Sequence, residues 1–179
     1  MRDPPPSAAL QSAGGRNVAW HVDTHIRRLP SHTQPYPVDY VPGTAILIRA
    51  DLIRQIGLLD EDYFFSGEIA DFCARAQRHE VRLLIDPRVT VYHDQRRSSE
   101  RRAALYIYYF LRNRFLYASK FYPRLRWLLI PGWVAFGLTS AASAWAKGQR
   151  QRARALWLAL RDGLSGRFGD RSAQVLAIK

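Results

Sequence analysis

The chain has 179 residues, 47% of them hydrophobic, one cysteine and a formal charge of +12. That length holds one domain with a core, or a small core plus an appendage, and the single Cys73 excludes an intrachain disulfide and fits a reducing compartment. The charge is uneven: residues 1–94 carry 10 Lys+Arg against 12 Asp+Glu, and residues 95–179 carry 17 against 3. A basic C-terminal half calls for an anionic partner, phospholipid or nucleic acid, and composition does not choose between them.

Met1 to Asn17 is rich in Pro, Ser, Ala and Gly and has no apolar stretch of the kind a signal peptide needs, so it reads as a disordered lead-in. Residues 18–37 hold Trp20, His21, His25 and His32 among three prolines and read as an extended surface segment. His21 and His25 have the spacing of some zinc helices, but the Glu that follows the first His there is absent. Val38 to Arg49 predicts a turn at Pro42-Gly43 and then a buried strand, and Asp51 to Ile56 a short helix stopped by Gly57.

Most of the chemistry lies between Asp60 and Arg75. Asp60, Glu61 and Asp62 are followed by aromatics, by Ser66-Gly67, and by Ile69, Phe72, Cys73 and Ala76 at helical spacing. Glu68, Asp71 and Arg75 then share a neighbouring stripe, with Ser66 as expected N-cap and Glu68 in the first turn, at the positive end of the helix dipole. Two readings stand side by side. The carboxylates serve chemistry together, or they cap a surface helix and pair with Arg75 or Arg78.

Strands are expected at Val81 to Ile85 and Val89 to Tyr92, with His93 at the end of the second. A long helix is expected from a Ser98 or Ser99 cap to Pro123, with Leu105, Tyr108, Leu111, Phe115 and Leu116 as its apolar stripe and Tyr109, Arg112, Arg114 and Tyr117 on other faces. Trp127 to Ala146 carries no charge and has the length of a membrane span, interrupted by Pro131, Gly132 and Gly137 and diluted by Thr139, Ser140 and Ser143. An interfacial segment, a span and a buried hairpin are all compatible with it. A basic amphipathic helix around Gln151 to Arg161 follows.

The ordered set Gly43-x-Ala45, Arg49, Ile56-Gly57-x-x-Asp60-Glu61-x-x-Phe64, Glu68-x-x-Asp71-x-Cys73-x-Arg75, Asp86-Pro87 and His93 resembles the acceptor-side half of glycosyltransferase family 2, inverting enzymes with the GT-A fold. Tyr109-x-x-Arg112-Asn113-Arg114 and Leu160-Arg161-Asp162-Gly163-Leu164-x-Gly166-Arg167 are similar to the tails of rhamnosyltransferase-like, membrane-associated members. The resemblance implies an α/β architecture: a lead-in over 1–37, the C-terminal part of a GT-A, Rossmann-like catalytic domain over 38–97, and a basic, membrane-associated helical tail over 98–179. It also implies transfer of a sugar from a nucleotide diphosphate donor to a hydroxyl acceptor, a glycan or a lipid-linked sugar, at the cytoplasmic face of the inner or plasma membrane.

Such a reaction uses a carboxylate base and a divalent metal, Mg or Mn. The family base is the Asp of a Glu-Asp pair, and here the pair reads Glu68-Ile69, so Glu68, with Asp71, is the expected catalytic group. Asp60, Glu61 and Arg75 are expected on the acceptor side, and His93 matches a late histidine that helps hold the metal in some members. The donor half with its Asp-x-Asp motif does not precede Val38, which implies a C-terminal part of an enzyme completed by a donor-half polypeptide. The competing reading is a non-catalytic basic module on a membrane surface, or a degenerate relic; nucleic-acid binding through the Tyr- and Arg-rich helix lacks a recognition motif.

Overall fold

The computed structural model describes residues 9–93 and 100–177. Its elements are β1 (Tyr36–Pro37), α1 (Ala50–Ile56), α2 (Glu68–Arg78), β2 (Leu84–Ile85), α3 (Glu100–Phe121), α4 (Arg126–Ala146), α5 (Arg150–Leu164) and α6 (Ser172–Leu176). They fall into two units, Met1–Leu59 with Ile69–Gln95, and Asp60–Glu68 with Arg96–Lys179. The acidic loop 60–68 therefore groups with the helical unit rather than with the segment expected to form the catalytic domain.

In the first unit, Leu52, Phe72 and Ala76 form a buried centre against Ile48, Ile53, Ile56, Val81 and Leu83. The apolar face read on α2 is the buried one, and Cys73 is a buried free thiol whose pKa burial pushes up. α1 ends where Gly57, at φ 80°, donates its amide to the Ile53 carbonyl. Residues 12–40 are extended and tied by backbone bonds, Ala13 to Ile26 and Gly15 to Tyr40 among them. The order reaches into the expected disordered lead-in, because Gly15 has no side chain: a Cβ there would stand 2.1 Å from the Tyr40 ring. With no helix over 18–37, His21 and His25 do not share a helical face; His25 Nδ1 meets Ser12 Oγ at 3.0 Å.

The described residues form mostly helix and one antiparallel ladder, Tyr36 opposite Ile85 and Pro37 opposite Leu84. The strands read over 44–49 and 89–92 are not laddered. Leu47 is fully exposed, and Val89, Val91 and Tyr92 are also exposed. A strand exists only where a neighbour takes its backbone groups, and β1 supplies one for 84–85 alone.

In the second unit α3, α4, α5 and α6 bury Tyr108, Tyr109, Leu111, Phe115, Trp133, Leu156, Leu160 and Val175 in one cluster. Most of the stripe predicted for α3 is in this core, but so are residues placed on its other faces: Tyr109, Arg112, Arg114 and Tyr117 are all buried, as is Asn113. α3 is enclosed nearly all round, which a one-sided periodicity does not announce. The caps expected at Ser98 or Ser99 lie outside the described residues. Gly163 lets α5 approach α3, since a Cβ there would stand 2.6 Å from the Phe115 ring. Among the described residues α4 is one helix long and apolar enough to cross a membrane by length and composition.

Asp162 on α5 is fully buried and is held by the Tyr108 hydroxyl at 2.8 Å, by Arg161 at 3.1 Å and by Arg171 at 3.4 Å. Burial, reinforced by that hydrogen bond to a carboxylate, pushes the Tyr108 phenol well above the usual tyrosine range. The folded chain keeps this proton where the unfolded chain sheds it, so the contribution is complete below about pH 10 and is lost as the pH rises beyond it. Thermal melts should therefore show a steeper alkaline loss of stability for the wild type than for Tyr108→Phe; equal slopes would contradict the buried-phenol account.

Candidate functional site

The loop Asp60–Glu68 reverses the chain through three positive φ angles, at Phe64 (56°), Ser66 (69°) and Gly67 (102°). Two of these are not glycine and cost of order 1–3 kcal/mol each. Ser66 therefore does not cap α2 from the expected position; the helix starts at Glu68, and the Ser66 carbonyl is turned toward α3.

Two adjacent side chains of α3 hold the loop in this form. Asn113 Nδ2 donates to the carbonyls of Tyr63 (3.0 Å), Phe65 (3.0 Å) and Ser66. Arg112 donates to the carbonyls of Asp62 (2.8 Å), Tyr63 (3.0 Å) and Gly169 (2.6 Å), and its Nε to Asn113 Oδ1 at 2.8 Å. Its guanidinium is fully buried and lies over the rings of Tyr109 (4.7 Å), Tyr108 and Phe168. Burial pulls its pKa down, an effect that the neighbouring Tyr108 opposes. Backbone carbonyls left without donors here would cost about 1–3 kcal/mol apiece, enough to outweigh the loop strain. The sequence reading noted Tyr109-x-x-Arg112-Asn113-Arg114 only as a tail resemblance; its function in the fold is to clamp this loop.

The expected site residues separate into distinct situations. Glu68, the first residue of α2, has one carboxylate oxygen, Oε2, buried with no hydrogen-bond partner among the described residues. Asp60 Oδ2 accepts from Lys120 Nζ at 2.7 Å, and its Oδ1 accepts the Asp62 amide at 2.9 Å; Glu61 is exposed. In the other unit Asp71 is fully buried and accepts from Arg75 Nε at 2.7 Å, and Arg75 also donates to the carbonyls of Ile56 and Leu58. That pair ties α2 to the end of α1. His93 is exposed at the end of an unladdered segment.

A divalent cation needs several oxygen or nitrogen ligands at once. Among the described residues no group of three or more His, Cys, Asp or Glu could hold one, so these residues do not by themselves fit a metal centre.

The chain is similar to the low-salt glycan biosynthesis hexosyltransferase Agl10 of Haloferax volcanii, 33% identical over 107 residues that cover 55% of this chain and 35% of that protein. It is also similar to the pre-mycofactocin glycosyltransferase of Mycobacterium tuberculosis, 42% identical over 59 residues, 33% of this chain and 12% of that protein. The chain is thus related over part of its length to glycosyltransferases, and spans about a third or less of theirs. No protein-family model and no solved structure matches it.

Two outcomes follow for stability. Asn113→Ala should lower the unfolding free energy by about 1–3 kcal/mol and speed amide exchange in residues 62–67; protection equal to the wild type would show that the loop holds itself. Asp71→Asn should cost about 3 kcal/mol, the low end for breaking a buried pair because Arg75 is 17% exposed and keeps two carbonyl partners, whereas Glu68→Gln should leave the denaturation midpoint nearly unchanged. Equal losses in the two variants would refute this division.

Proposed function

We propose that this chain is the acceptor-side part of an inverting glycosyltransferase of family 2 with an α/β GT-A catalytic domain, and that Glu68 is its base. The observation that carries the reading is the contrast between carboxylates. Asp71 is engaged by Arg75, while Glu68 heads α2 with an unpartnered, buried oxygen on a loop clamped by Arg112 and Asn113. The partial relationship to two glycosyltransferases supports the class.

In this reaction the acceptor hydroxyl attacks the anomeric carbon of the donor sugar and the bond to the nucleoside diphosphate breaks. The acceptor proton passes to Glu68, and attack opposite the leaving group inverts the centre. A carboxylate oxygen without a hydrogen-bond partner can take that proton when the acceptor reaches it, whereas the Asp71 carboxylate is committed to Arg75. Asp71 and Arg75 then support α2, and exposed Glu61, with Asp60 beside it, is placed to meet acceptor hydroxyls.

The acceptor is a glycan or lipid-linked sugar, and the enzyme works at the cytoplasmic face of the membrane. The nucleotide-sugar is bound by a donor half supplied by further polypeptide, in the same chain or another, whose strands take up segments such as 44–49. The Mg or Mn expected for the diphosphate belongs to that half.

In the enzyme completed by its donor half, Glu68→Gln should lower kcat by about 10²–10⁴-fold with KM little changed. Transfer at the wild-type rate by a folded Glu68→Gln protein would end this assignment.

A further inference from the structure

Among the described residues nothing covers the outward face of α4. Leu129, Trp133, Gly137, Ala141 and Ala144 form the face that α4 buries, and only 28% of its most apolar window is buried. The opposite stripe, Trp127, Pro131, Ala135, Leu138, Ala142 and Trp145, is exposed and uncharged along about 27 Å, with tryptophan at either end. Trp127 is 71% exposed and Trp145 56%. α5, joined to α4 through Lys147–Gln149 and packed along it, shows Arg150, Arg154, Trp157 and Arg161 on one outward stripe, Trp157 being 58% exposed. The two stripes meet where the Arg150 guanidinium lies 5.9 Å from the Trp145 ring. No Asp or Glu occurs between Glu100 and Asp162.

We propose that these two faces are a docking surface for an anionic phospholipid bilayer, with α4 lying in the plane of the interface instead of crossing it. Tryptophans at both ends of an uncharged stripe suit the headgroup level, and the arginines beside them meet lipid phosphates. Packing excludes the span. Carrying α4 through the hydrocarbon would take α5 along, and with it the exposed Arg150, Arg152, Arg154 and Arg161, at a cost that one apolar stripe does not offset. In the plane, every one of the α5 arginines keeps access to water or phosphate. This deepens the membrane location proposed above but does not depend on Glu68, so its test reads lipid binding and not transfer.

The full chain is to be sedimented with vesicles of phosphatidylcholine alone and of phosphatidylcholine mixed with phosphatidylglycerol, at low and high salt. Binding should need the anionic lipid and weaken with salt. A basic residue at such a surface is worth about fivefold in affinity, so Arg150→Glu with Arg154→Glu should reduce binding far more than tenfold, and Leu138→Glu should also release the protein. Both changes are on exposed positions, and unchanged melting curves show that folding is intact. Leu138→Trp, with Trp20, Trp127, Trp145 and Trp157 replaced by Phe so that only the buried Trp133 remains besides it, should be quenched by lipids brominated near the headgroup. Quenching only by lipids brominated at the chain ends would mean a span and overturn the in-plane assignment. Salt-independent binding to neutral vesicles, binding that survives Leu138→Glu, or self-association or oligonucleotide binding through the same residues without lipid binding would overturn the docking surface itself.

Discussion

The helical unit depends on one pair of adjacent side chains, Arg112 and Asn113, that replaces missing secondary structure. The loop 60–68 is neither helix nor ladder, so its carbonyls have no periodic donors, and three of its residues sit at positive φ. A guanidinium and a carboxamide side by side on α3 supply fixed donors to Asp62, Tyr63, Phe65 and Ser66. Burying an arginine is costly, and here the cost is met by carbonyl bonds and by the faces of Tyr108, Tyr109 and Phe168. The last residue of that loop is Glu68, the proposed base, so the clamp also bears on the proposed function.

Chemistry asks two opposite things of the carboxylates on α2. A structural acid is most useful when fully engaged, as Asp71 is with Arg75; a proton acceptor is most useful with a free lone pair on a backbone that does not move. Glu68 meets the second condition because the strain of its loop is carried elsewhere, by α3. The unpartnered oxygen is unfavourable for stability, and such unsatisfied groups concentrate where a ligand is to supply the missing partner.

Local pattern made the helices legible. The apolar positions of α2, the glycine stop of α1, the C-terminal end of α3 and the helix α5 follow from spacing and breakers, and the candidate carboxylates were visible as an acidic helix start. By contrast, α4 runs unbroken through Pro131, Gly132 and Gly137, which the sequence marks as interruptions. Pairing was not legible. The segments 44–49 and 89–92 have the apolar and β-branched residues of strands, yet a ladder needs a neighbour, and nothing in their own residues reports whether it is present. Nor could spacing separate Glu68 from Asp71: the division comes from Arg75 bridging to Ile56 and Leu58, contacts distant in sequence. Gly14 and Gly15 looked like the composition of disorder because glycine marks both freedom and close packing, and only the position of Val38 and Tyr40 tells which.

The same limit explains α4. Hydropathy measures how long and how apolar a helix is, and on that measure it can cross a membrane. What decides its use is the company it keeps. Three helices packed together enter a bilayer or stay out of it together, and α5 carries exposed arginines that would have to be desolvated. The fold thus turns a segment of spanning length into one face of a bundle, apolar outward and flanked by positive charge. The proposed lipid contact and the buried, hydrogen-bonded arginine clamp are compatible in one helical unit, since the outer face of α4 is exposed while Arg112 keeps its carbonyl partners inside.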